Sequence, residues 1–216
     1  MGDGEMKEEQ QKHVFSISFT TEMVLAILDG RKSMTRRLVK PQPEFLQVHR
    51  HKGEVIYDGA NRRWGCGPVV ASDPWSIGFE EEMLSICPYH VGQLLWVREA
   101  WAKVPATAYH HDTSIPHREH EQEGGYKVWS VYKAGWERCQ EHWQSGRYMP
   151  RWASRILLRV VSVKLERVQD ITEEDARKEG VLNKDEFQKL WEKIHKPGAW
   201  ARNDWVWAVE FEVVKL

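Results

Sequence analysis

The segment Gly30-Arg31-Lys32-Ser33-Met34-Thr35-Arg36-Arg37 sets four cations and two hydroxyls side by side, a set of groups that suits a polar binding or reactive site. A plainer reading carries equal weight: Arg31 and Lys32 complement the negative end of a preceding helix, and the later arginines line a solvated strand face. If that strand is regular, Thr35 and Arg37 share a face and Lys32 has to come from the turn to meet Thr35. Glu179 is the second candidate. It ends a short helix, so its carboxylate lies against the helix's own carbonyls, at a cost of about 0.3–1 kcal/mol unless a cation or a task holds it there. Arg177 and Lys178 just before it offer an ordinary neutralisation. A third feature is the series Arg147, Arg151, Arg155 and Arg159 interleaved with Tyr148 and Trp152, a strip that could hold phosphates while Trp152 stacks. Ordinary salt bridging is the weightier explanation of it. The fourth is metal: Cys87-x-x-His90 and Cys139-x-x-His142 have ligand spacing, with His110, His111, His117 and His120 between them, and four such ligands would close a tetrahedral zinc site. With ten histidines in the chain such pairs also arise by chance, so no metal and no other cofactor is expected.

The rest of the composition bounds what these groups can serve. A chain of 216 residues suits one domain with insertions. A formal net charge of −1 gives no overall field for polyanions, so any nucleic-acid contact must come from a local patch. Three cysteines, Cys66, Cys87 and Cys139, are too few and too odd for a disulfide framework and point to a reducing, cytoplasmic setting. Residues 1–12 read as a disordered polar tail without a signal peptide, and no apolar run is long enough to span a membrane. Twelve tryptophans are far above ordinary usage; most suit core positions, although stacking platforms for bases would look similar.

The pattern predicts the elements that must position these groups. Val14 to Phe19 alternates, with Phe15, Ile17 and Phe19 on one face, and reads as a half-buried strand. A helix follows, capped by Thr20, with Met23, Val24, Ile27 and Leu28 as its stripe and Gly30 as a left-handed stop. Ser33 to Leu38 is extended. From about 41 to 92 turn signals surround one short strand at Val55 to Tyr57, which reads as an insertion. Gln93 to Arg98 and Tyr126 to Tyr132 are strands, with a second insertion at about 103–150. Arg155 to Val168 and Trp205 to Val214 are the longest strand-like runs. Between them a short helix runs from Thr172 to Glu179, and a stronger one begins at the Asn183/Glu186 cap with Phe187, Leu190, Trp191 and Ile194 as its stripe. The order of elements fits an α+β barrel rather than an alternating parallel sheet.

Gly30-x-Lys32-x-x-Thr35-Arg36 after a capped helix, followed by Ile171-Thr172-Glu173-Glu174-Asp175-Ala176-Arg177-Lys178-Glu179-Gly180 and a terminal strand, resembles the ASCH domain family, whose fold is a PUA-like β-barrel. Cys87-Pro88-Tyr89, Leu95-Trp96-Val97-Arg98-Glu99-Ala100-Trp101, Met149-Pro150-Arg151-Trp152-Ala153-Ser154-Arg155 and Trp205-Val206-Trp207-Ala208-Val209-Glu210-Phe211 extend the likeness to the larger ASCH-like proteins of bacteriophages and prophages. The resemblance implies a link to RNA metabolism. In small bacterial members it implies an amidohydrolase acting on N4-acetylcytidine through a lysine, a threonine and a glutamate, here Lys32, Thr35 and Glu179; other members resemble ribonucleases.

In that chemistry a threonine hydroxyl needs a base, and a lysine can serve only when desolvation or a cationic neighbour such as Arg31 or Arg36 makes it neutral. Glu179 would order the lysine or shuttle a proton, and Arg36 would steady oxyanion charge. Arg31, Arg36, Arg98, Arg151, Trp152 and Arg155 are the expected ligand- or nucleic-acid-binding set. Three readings follow, in order: a hydrolase of a modified nucleoside or RNA; a non-catalytic module binding RNA, DNA or a nucleotide; and a phage-encoded adaptor binding a host protein.

Overall fold

The computed structural model describes residues 14–42, 47–51, 54–58, 83–108, 114–136 and 142–214. The expected tail and Cys66, Cys139, His110 and His111 lie outside the described residues. The chain divides into two units, one of Met1–Ser33, Val91–Ser162 and Glu210–Leu216, the other of Met34–His90 and Val163–Val209. The architecture is mixed α+β, and among the described residues the strands form open sheets of five, two and three strands.

In the first unit β1 (Phe15–Ser18) pairs in parallel with β5 (Leu94–Arg98), Ile17 opposite Val97, and β5 pairs antiparallel with β9 (Leu157–Arg167). Ile17 and Phe19 are buried as the alternation requires, whereas Phe15 is 53% exposed: β1 is a sheet-edge strand, and its first residue lies beyond the cover that the others receive. Helix α1 (Thr21–Leu28) starts where Thr20 Oγ1 accepts from Met23 N and stops before Gly30, whose φ of +72° is the left-handed geometry that glycine adopts without strain. Its buried face is Val24, Ala26 and Ile27, so the stripe is rotated from the predicted one and Leu28 faces out. The Ala26 carbonyl accepts from both Arg31 N and Lys32 N, which satisfies the helix end and fixes where Lys32 leaves it.

A second sheet of this unit has the order β6-β8-β7, built from β6 (Trp101–Pro105), β7 (His117–Glu121) and β8 (Lys127–Tyr132). The segment HREHE of β7 carries no apolar signal and was not predicted as a strand; it is an edge strand held through β8 alone. One face of this sheet buries Ala102, Val104, Trp129 and Val131 with Ile115. The other buries Trp101 and Tyr132 beneath Met149 and Ala153 from a segment containing two short 3-10 turns, Gly146–Tyr148 and Arg151–Ala153. Gly146 approaches the chain so closely that a Cβ there would lie 3.0 Å from both Glu99 N and Glu99 O, which pins this segment over the β5–β6 turn.

The second unit contains β2 (Met34–Leu38), the antiparallel hairpin β3 (Gln47–His51) and β4 (Glu54–Asp58), and helices α2 (Glu173–Lys178) and α3 (Lys184–His195). The predicted strand at Val55–Tyr57 is thus paired with a second one that its His and Arg residues concealed. Strand β10 (Trp205–Val214) begins in this unit, where Val39 N donates to Trp205 O. Val206, Trp207, Ala208 and Val209 are all buried, so β10 is covered on both faces rather than half-buried as its alternation suggests. Thr172 and Asn183 cap the two helices through Asp175 N and Glu186 N. Phe187 and Trp191 of α3 pack with Val168, Ile171, Ala176, Ala199 and Val206, while Ile194 of the predicted stripe is outside.

Candidate functional site

Lys32, Thr35 and Glu179 are buried to 2, 2 and 3% exposure, and Arg36 is buried with them. Taking a polar side chain out of water is unfavourable unless a partner or a function compensates, so burial of these four groups requires an account. Lys32 belongs to the first unit. Its ammonium lies 5.8 Å from the centre of the Phe19 ring, close enough for the ring's negative face to attract it. Arg31 beside it is exposed and paired with Asp29 at 2.8 Å, so its charge is compensated by that carboxylate.

Thr35, Arg36 and Glu179 belong to the second unit, where β2 and the C-terminal end of α2 supply them. Three consecutive buried residues, Met34, Thr35 and Arg36, mean that β2 is covered on both faces, and the solvated arginine face of the plainer reading is not found. The Arg36 guanidinium has no exposure and is surrounded by carboxylates: Glu166 Oε1 accepts at 2.6 Å, Asp175 Oδ2 at 3.0 Å and Glu179 Oε1 at 3.4 Å. Its ring-like plane also lies 5.7 Å from the centre of Phe187, and Met34 Sδ accepts from it at 3.5 Å. Arg36 is thus a cation that faces Glu179 at its own helix end, and Lys178 pairs with Glu174. The expected role of Arg36 as an oxyanion donor is corrected accordingly, because its N–H groups are committed to internal carboxylates. Burial pushes the Glu166 carboxyl above the usual range, with Arg36 opposing that shift. Burial lowers Arg37, and Tyr89 and Glu179 counter it, so a second arginine lies within electrostatic reach of Glu179. Sequence reasoning missed Glu166 and Asp175; Asp175 stands four residues before Glu179, one helical turn away, which is the only local signal that pointed to it.

The remaining candidates separate. Arg155 donates in a fork to Glu99 at 3.0 and 2.9 Å, also reaches the Ala134 carbonyl at 2.8 Å, and stacks 4.1 Å from the Tyr132 ring centre. It is an internal counter-ion rather than a phosphate ligand. Burial raises the Glu99 carboxyl, against the lowering effect of Arg155, and lifts the Tyr132 phenol to about 12. Arg159 pairs with Glu212 at the surface at 2.8 Å. Arg98 is half-buried, with its Nε buried and unbonded among the described residues. Arg151 is exposed, and Trp152 is half-buried against His120.

Of the zinc candidates, His90 and His142 are exposed and Cys87 is buried. The Cys87 sulfur accepts from Tyr89 N, yet burial lifts its thiol to about 11, an environment that makes the thiol slow to react. In a Cys66→Ser, Cys139→Ser background, Ellman's reagent at pH 8 is expected to react with native protein on the order of 100-fold more slowly than with unfolded protein. Because the folded state retains the thiol proton up to about 11, this group's contribution to stability falls as the pH rises past the ordinary thiol value.

No protein-family model matches the chain, and no curated protein or solved structure matches it.

Proposed function

We propose that this chain is a nucleic-acid-related hydrolase of the ASCH type on a PUA-like barrel, acting in the cytoplasm on a modified nucleoside amide such as N4-acetylcytidine or on RNA. The observation that carries the reading is the burial of Lys32, Thr35 and Glu179, three polar residues of the two segments that resemble the family. Thr35 supplies the hydroxyl, Glu179 the proton-handling carboxylate, and Lys32, three residues before Thr35, the base once it is neutral. For the amide, the carbonyl carbon gains an oxygen and loses the exocyclic nitrogen, which leaves protonated as the cytidine amine; water completes the release of acetate.

The test is turnover of N4-acetylcytidine, followed as cytidine and acetate, and cleavage of single-stranded RNA. Wild-type protein is expected to consume one of them, and Lys32→Ala or Glu179→Gln to lose roughly 10²- to 10⁴-fold, with circular dichroism at the assay temperature showing that each variant is folded. A wild-type protein inert toward both substrates ends the hydrolase reading. A non-catalytic binding module is the second reading, and the engagement of Glu179 by Arg36 favours it, because that pair accounts for the carboxylate without any reaction.

A further inference from the structure

In the first unit Arg31, Lys127, Arg155 and Arg159 each hold a carboxylate. Among the described residues, no carboxylate pairs with Lys103, Arg118 or Arg151, all three of which are exposed.

Strand register gathers two of them. Lys103 lies opposite Ser130, and Ser130 opposite Arg118, so directly paired positions put Lys103, Ser130 and Arg118 on one face of the β6-β8-β7 sheet. Two strand spacings separate Lys103 from Arg118, about 10 Å, with buried Ser130 between them. The acidic residues of β7, Glu119 and Glu121, alternate onto the opposite face, where Glu119 binds Lys127. The turn Arg151–Ala153 lies on the cationic face: the Ala153 carbonyl accepts from Tyr132, and Arg118 donates to Ser154 O at 2.6 Å. His120, on the same face, stacks on Trp152 at 4.4 Å and 14° between planes, and Trp101 meets Trp152 edge-on at 6.0 Å. Two half-buried rings thus stack within a field of unpaired positive charge that has no acidic residue on its own strand face.

We propose that this face binds a single-stranded nucleic acid, with Lys103, Arg118 and Arg151 on successive phosphates and the Trp152–His120 stack carrying a base. The proposal takes the class of partner from the nucleic-acid reading above but uses none of Lys32, Thr35 or Glu179. A duplex fits poorly, because its bases are already stacked on one another and cannot use the ring pair. A bare polyanion engages the cations and leaves the rings without a role.

The experiment is fluorescence anisotropy of a short labelled oligonucleotide, RNA in one series and DNA in another, titrated with the full chain across a range of KCl. Three phosphate contacts predict a slope of log affinity against log salt of roughly −2, from about 0.7 per contact on a single strand. Lys103→Gln/Arg118→Gln/Arg151→Gln is expected to flatten that slope and to weaken binding at low salt by at least about tenfold. Trp152→Ala is expected to lose about fivefold or more with the slope unchanged. Since Trp152 also packs on Trp101, His120→Ala provides a second readout of the same platform if that variant unfolds. Turnover of free N4-acetylcytidine is expected to be untouched by Lys103→Gln/Arg118→Gln, which changes no residue of the expected ligand-binding set, so loss of binding and loss of hydrolysis are separate results. An unchanged slope in the triple variant overturns the proposal, as does heparin or duplex DNA competing as strongly, nucleotide for nucleotide, as the single strand.

Discussion

Replacing Arg36 with methionine is expected to lower the unfolding free energy at pH 7 by about 3–5 kcal/mol, the cost of removing one partner from a buried ion pair. Three carboxylates converge on this one guanidinium, and Glu179 is almost wholly out of water, so methionine takes away the guanidinium that these three carboxylates share. No single second substitution restores the balance, because neutralising Glu179 leaves Glu166 and Asp175. The loss has a defined pH dependence. Burial already raises Glu166 with Arg36 present. Without Arg36 to oppose burial, the folded state holds the Glu166 proton to still higher pH than the unfolded chain does. Stability of the variant therefore falls as the pH rises through and above the ordinary carboxylate value, and the difference from wild type shrinks toward about pH 4. Urea unfolding followed by tryptophan fluorescence at several pH values measures this. A loss that is small, or equal at pH 4 and 7, would show that Arg36 is not the counter-ion of the cluster.

Arg155→Met should produce a comparable loss, about 3–5 kcal/mol, in the first unit for the same reason. Here Glu99, 1% exposed, has one cation, and the pair is held in a two-bond fork. The distinguishing result is the double variant Glu99→Met/Arg155→Met. With both charges gone, two apolar side chains of similar length fill the space, and most of the loss is expected to be recovered. Recovery stays incomplete, since the Ala134 carbonyl also loses its donor and Tyr132 its stacked cation. A double variant no more stable than Arg155→Met would mean that the arginine acts through its backbone bond and its stacking rather than through Glu99.

Much of the local structure was legible in the residues. Thr20, Thr172 and Asn183 cap the helices that their side chains predict, because a cap depends on one oxygen and an amide a few residues away. The long strands at 157–167 and 205–214 fall within the predicted runs, since β-branched and aromatic content alone marks them. Lys32, Thr35 and Glu179 stood out through family likeness, with the misplaced carboxylate of Glu179 as a weak physical hint. Strand β7 was hidden, because an edge strand with both faces polar has no hydrophobic period to detect.

What the sequence by itself determined is where helices begin and stop, which runs are extended, and that a charged segment follows the first helix. Only tertiary structure decided which charges are used up. Arg36, Arg155 and Arg159 look alike in the sequence as Arg118 and Arg151 do, yet the first three meet carboxylates 130, 56 and 53 residues away, and no carboxylate among the described residues pairs with the last two. Pairing of that kind depends on strand register and on how the chain returns to itself. A charge's partner is therefore a property of the folded molecule, because Coulomb attraction acts through distance in space and not along the chain.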